Sequence, residues 1–165
     1  MTAEPTLVFV RSHIFAIGEV MWMLGPEQAD ARPVCLVFEP RDNEASVRTG
    51  IASGYVRVWG EALSSRPSAV ADGWEDVAEV SLRVSSGPLR FEGMEKSIGP
   101  EVRLDAHGPG EYRVRIHANG RDTDVDASRL DPVEDYLIRA WPEETSPPQT
   151  LRATSNVGQW EVQWS

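Results

Sequence analysis

The stretch that most constrains the fold is Gly108-Pro-Gly-Glu-Tyr-Arg-Val-Arg-Ile-His-Ala-Asn-Gly-Arg-Asp122, answered by Tyr136-Leu-Ile-Arg-Ala-Trp-Pro142. After the Gly-Pro-Gly turn, Tyr112, Val114, Ile116 and Ala118 fall on one face, and Glu111, Arg113, Arg115, His117 and Asn119 on the other. A period of two over this length is the pattern of a strand buried on one side and wet on the other. Asn119-Gly120 supplies the positive backbone angles of a turn. Tyr136, Ile138 and Ala140 form the next apolar face, which Pro142 ends because it brings no amide donor. The two segments are expected to be neighbours at the centre of a sheet.

The remaining apolar runs are short. Thr6–Val10, Ile14–Ile17, Val34–Phe38, Tyr55–Trp59, Glu79–Val84, Leu89–Phe91, Glu101–Leu104 and Trp160–Trp164 each read as a strand, while Met21–Leu24 fits either a strand or a buried turn. Val56 and Val58, and likewise Val80, Leu82 and Val84, are expected to face inward. Residues 41–48 and the Pro-rich 142–150 read as loops, and 61–76 is the one place where a short helix fits, weakened by Gly73. With 12 Pro and 13 Gly dispersed as turn formers, this gives about eight to ten short strands and almost no helix. The expected architecture is all-β, an antiparallel β-sandwich or open barrel, in a single domain spanning 1–165.

Composition narrows the function classes. Twenty-six acidic residues against 16 basic give a net charge of −10. Such a surface repels nucleic acid and anionic membranes and attracts basic partners, although acidity also serves plain solubility. The single cysteine, Cys35, excludes an internal disulfide and zinc sites built on paired cysteines, and fits a reducing cytoplasm. Arg11, His13 and Glu19 interrupt the first apolar stretch, against a signal peptide or a membrane span.

No catalytic motif is present. There is no nucleophile elbow, Walker loop or dinucleotide fingerprint, and no cofactor is called for. His13, His107 and His117 have no metal-ligand spacing. The segment 122–135 holds six acidic residues: Asp122, Asp124, Asp126, Asp131, Glu134 and Asp135. The alternate Asp122, Asp124 and Asp126 imitate the opening of a calcium-binding EF-hand loop. The sixth and twelfth positions are Ala127 and Val133, however, where such a loop needs Gly and Glu. Tyr55 and Trp59 share one face, as do Trp160 and Trp164; an aromatic row can stack on a ligand or anchor a partner, and the Trp160/Trp164 row is read as facing inward.

The segment Gly108–Pro142, with its Gly-x-Tyr-Arg-Val-Arg strand and later Tyr-Leu-Ile-x-x-Trp-Pro, resembles a set of small uncharacterised β-rich bacterial proteins. The general plan is similar to the competence J-type nuclease inhibitors. A small acidic β domain with a net charge of −10 and no active-site constellation leads to a non-enzymatic binding protein of the inhibitor or immunity type, covering a basic toxin or nuclease. Its contacts are then the six carboxylates of 122–135, with Arg113, Arg115 and His117 on the adjoining exposed face and Tyr55 or Trp59 as apolar anchor. The alternatives are a carbohydrate- or small-ligand-binding β protein that uses exposed aromatics, and a structural subunit of a larger assembly.

Overall fold

In the computed structural model, which describes residues 3–19, 34–38 and 43–163, the alternating stretch is an inner strand of one large sheet. The strands are β1 (Thr6–Arg11), β2 (Ile14–Gly18), β3 (Glu44–Arg48), β4 (Ser53–Ala62), β5 (Asp76–Val84), β6 (Arg90–Glu92), β7 (Gly110–Asn119), β8 (Ser128–Arg129), β9 (Asp135–Pro142) and β10 (Gln149–Ala153), followed by one helix, α1 (Asn156–Gln163). Eight of them lie in the order β10-β5-β7-β9-β4-β1-β2-β3, with β6 beside β2 and β8 beside β4. Pairing is antiparallel except where β4 meets β9 and β8.

The sheet curls into a half-barrel. Phe15 on β2 and Tyr136 on β9 are three strand positions apart, about 14 Å in a flat sheet. Their rings nevertheless meet edge-on, with centroids 5.2 Å apart. Of the two architectures expected, the open barrel is the one adopted. Tyr112, Val114, Ile116 and Ala118 point into its concave side and are buried, as are Val56, Val58, Val80, Leu82 and Val84. Val114 lies opposite Val80 on β5 and Ala140 on β9, and Ile116 opposite Ala78 and Ile138. Full burial of each large apolar side chain contributes about 1.5–3 kcal/mol.

Several local expectations are corrected. Residues 34–38 form no strand: Leu36 has φ +72°, and only Val37 bridges to β3, at Val47. The run is apolar because it plugs the core, with Cys35, Leu36 and Val37 all buried. Within 41–48, read as a loop, Glu44–Arg48 is a strand whose Ala45 and Val47 face in. Strand β10 likewise begins within the segment read as a Pro-rich connection. Residues 101–104 and 61–76 hold no strand and no helix respectively beyond the ends of β4 and β5. The C-terminal alternation belongs to α1, so Trp160 is 61% exposed while Glu161 is buried. The helix starts where Ser155 Oγ accepts the Gly158 amide at 2.8 Å, an N-cap bond. Met21–Leu24 and Trp164 lie outside the described residues. Among those residues, no helix is long and apolar enough to cross a membrane.

Replacing Ile116 with Ala removes buried volume at the middle of the sheet. The expected cost is about 2–5 kcal/mol, read as a lower urea midpoint with an unchanged denaturant slope.

Candidate functional site

Arg113, Arg115 and His117, expected on a wet face, are buried. The segments before β5 and after β9 cover that side of β7, so the strand has an apolar inner face and an ionic outer one. Arg113 donates through Nε to Glu79 at 2.9 Å, and through its Nη atoms to Ser81 Oγ and the carbonyls of Ser146 and Pro147. Arg115 donates to the other Glu79 oxygen at 2.7 Å and to the Ala69 carbonyl. Arg66 adds a third guanidinium to Glu79. Burial pushes the Glu79 carboxyl upward, but these cations overcome it and hold it below its ordinary value. The buried Trp141 ring lies beside both Arg66 and Arg115. His117 Nδ1 is 2.9 Å from the Leu137 carbonyl, which places its proton there, and Trp74 packs beside the ring. These groups are structural and unavailable to a partner.

The acidic residues also have local work. Asp122 accepts the Asn156 and Val157 amides at the start of α1, at 2.8 and 3.0 Å. Asp124 and Asp131 both bind Arg129, and Asp135 binds Arg57. Asp126 Oδ1 is 2.8 Å from His13 Nε2. Glu134 is buried, a correction to its expected place on the surface: it accepts the Gly50 and Ile51 amides and the Tyr136 hydroxyl, and burial raises its carboxyl above the usual range. Tyr55 and Trp59 are half-buried; one ring meets Phe9 edge-on, and the indole N–H of the other donates to the Ala3 carbonyl. Among the described residues, no three His, Cys, Asp or Glu side chains gather as a metal site would.

What the sequence did not disclose is a cavity of about 620 Å³ between the β1–β2 turn, the end of β3, the loop after β7 and α1. Ile14, Phe38, Val125, Val157 and Trp160 provide its apolar walls. Backbone strain gathers around it. Among the described residues, four non-glycine residues have φ between +54° and +72°, and three of them, Ser12, His13 and Asp126, line the cavity. Ser12 and His13 turn β1 into β2 with left-handed backbone at both positions, the demand of a tight hairpin turn that usually selects Asn-Gly. The His13 amide donates to the Ala52 carbonyl and its own carbonyl accepts the Thr49 amide, which holds the turn. Residues kept in sparsely populated conformations by their surroundings concentrate at functional sites.

Beneath the cavity, Arg121 is wholly buried and bridges two carboxylates. It donates to Asp76 Oδ2 at 2.9 and 3.1 Å and to both Glu161 oxygens at 2.8 and 3.0 Å. Burial alone lowers the guanidinium pKa, but its carboxylate partners raise it above the ordinary value. Asp76 also accepts the Thr154 and Ser155 amides and the Ser155 hydroxyl. Gly50 must lack a side chain, since a Cβ there would stand 2.0 Å from the Arg121 carbonyl oxygen. Burial pushes the Cys35 thiol up to about 12, so it stays protonated at neutral pH and is a poor nucleophile.

The fold and site together define a β half-barrel with an open, partly apolar cavity bordered by a helix. No family model matches the chain, and no curated protein is similar to it in sequence. Among solved structures, the chain is similar to the product of crocagin biosynthetic gene J, with a TM-score of 0.51 and 17% identity over 87% of this chain and the whole of that one. The likeness is one of fold.

Burial lowers the His117 pKa from about 6.5 to about 4. The unfolded chain therefore takes up a proton that the folded chain refuses between those values. Stability from this residue is complete above about pH 6.5 and is lost as the pH falls toward 4, by on the order of 2–3 kcal/mol. Urea titrations at pH 7.5 and 4.5 are expected to give a smaller loss for His117→Gln than for the wild type.

Proposed function

We propose that this protein is a non-enzymatic binding protein for a small, largely apolar molecule held in the cavity beside α1. The observation that carries the reading is the set of large apolar side chains kept at a concave surface, with Trp160 the most exposed of them. A pocket of several hundred Å³ with apolar walls and a few fixed polar groups is the usual form of a small-molecule site. Covering roughly 100 Å² of such surface contributes about 2.5 kcal/mol. Asp122 and Glu161 on its walls are already engaged by the helix amides and Arg121, which fixes them as part of the scaffold. The fold neighbour's name links it to crocagin biosynthesis; the proposal rests on this chain's own cavity.

A second reading is the acidic protein that covers a basic toxin or nuclease. It is favoured by the carboxylates of Asp126 and Asp131, whose side chains remain 77% and 86% exposed beside their cationic neighbours. A partner of that kind would be lost in high salt and weakened by Asp→Asn changes at 124, 126 and 131.

The test is titration with N-phenyl-1-naphthylamine, a neutral probe that brightens in apolar surroundings. Saturable binding at one site per chain is expected, with Trp160→Ala weakening it by about ten-fold at unchanged far-UV circular dichroism. Absence of saturable binding, or binding indifferent to both Trp160→Ala and Val157→Asp, would overturn the cavity reading.

A further inference from the structure

Among the described residues Arg113, Arg115 and Arg121 are buried and Arg48 is largely shielded, and their donors are used unequally. Arg113 sends hydrogen bonds to four groups, and Arg121 to two carboxylates and the Arg48 carbonyl. Arg48, at the cavity wall with 14% of its side chain exposed, is different. Its Nε–H is buried and, among the described residues, meets no acceptor. Its Nη2 donates to the Val37 carbonyl at a long 3.3 Å, and its Nη1 stands 3.9 Å from Glu161. A guanidinium has five N–H donors, and among the described residues this one makes a single hydrogen bond.

Glu161 does not complete the match, since its nearer oxygen stands beyond hydrogen-bond reach of Nη1. Both of its oxygens already accept from Arg121, and one also accepts the Leu36 amide. Burial lowers the Arg48 pKa, and Glu161 offsets this only in part. The flat face of the guanidinium is not idle: its carbon lies 4.0 Å from the centroid of the Phe38 ring, a stacked arrangement that fixes the plane of the donors. A cation with a fixed plane and unused donors, set among Phe38, Val157 and Trp160, is suited to a planar anion attached to an apolar body.

We infer that the cavity takes a flat apolar acid, with a carboxylate or equivalent planar anion on the Arg48 guanidinium and the apolar body against Val157 and Trp160. The inference rests on the cavity reading above and adds the chemical class of ligand. The carboxylates on the same wall are already met by donors of their own, Asp122 by the helix amides, Asp126 by His13 and Glu161 by Arg121, which leaves Arg48 as the guanidinium on the wall with donors to spare. Arg48 is here a specificity-determining residue.

The test is competition by 2-naphthoate and by 2-naphthamide for bound N-phenyl-1-naphthylamine at neutral pH and about 0.15 M salt. The two competitors share one aromatic body, and partition alone favours the uncharged amide. The acid is nevertheless expected to displace the probe at about ten-fold lower concentration, the effect of a charge-assisted hydrogen bond. Arg48→Gln is expected to abolish that preference, read as the ratio of acid to amide concentrations for half displacement within each protein. An amide equal to or better than the acid on wild-type protein overturns the inference and leaves the cavity reading intact. A preference that survives in folded Arg48→Gln protein removes Arg48 from the role. Failure of the neutral probe to bind takes down both. The wild-type comparison decides the ligand class without any variant, so it stands even where Arg48→Gln protein folds poorly.

Discussion

Arg121 holds the architecture of the site together. It follows β7, lies fully buried, and ties Asp76 at the start of β5 to Glu161 on α1. A buried guanidinium without partners is strongly unfavourable, and removing one partner of such a pair typically costs about 3–5 kcal/mol. The helix is therefore held against the barrel by charge as much as by contact area, since its buried residues are only Gly158 and Glu161. Packing of this kind leaves the rest of α1, including Val157 and Trp160, standing at the edge of a space that they do not fill. The cavity borders α1 beside the anchors of that helix, Glu161 on the helix itself and Asp122 at its first turn.

A similar logic governs the other side of the sheet. Glu79 gathers Arg66, Arg113 and Arg115 where an apolar layer would ordinarily cover a half-barrel. The covering segments carry no regular structure of their own, and their backbone carbonyls at Ala69, Ala71, Trp74, Ser146 and Pro147 serve as acceptors for arginine. Irregular backbone can lie over a sheet face in this way because its polar groups are satisfied. Strand β7 thus sits between an apolar layer and an ionic one, each specifying its register independently.

Much of the inner face was legible. Val56 and Val58, Val80 to Val84, Tyr112 to Ala118 and Tyr136 to Ala140 announce their strands because one side is buried among apolar neighbours. The same rule misled at Arg113, Arg115 and His117, because charge in a strand pattern reads as solvent and the answering Glu79 lies more than thirty residues away. Strand β3 escaped because only Ala45 and Val47 of its five residues face the core. Helix α1 was mistaken for a strand since Trp160, Val162 and Trp164 alternate, although Thr154-Ser155-Asn156 is a run of capping residues that marks a helix start. The cavity had no linear signature: its walls come from positions 12–14, 38, 48–50, 122–126 and 156–161. Only the tertiary fold brings them together, and only the fold reveals that Ser12-His13 makes a turn without Gly.

The parallel seam between β4 and β9 has a kinetic consequence. Arg57 pairs with Asp135 and Ala62 with Ala140, so β4 waits for a partner made nearly eighty residues later. Arg121 waits in turn for Glu161, forty positions further along the chain. At a synthesis rate of about 5–20 residues per second, the stretch that separates β4 from β9 takes several seconds to make. Topologies dominated by such distant pairings fold slowly and expose sticky edges while they do. The half-barrel and the cavity beside α1 thus depend on contacts between segments far apart in the chain, the kind that form slowly.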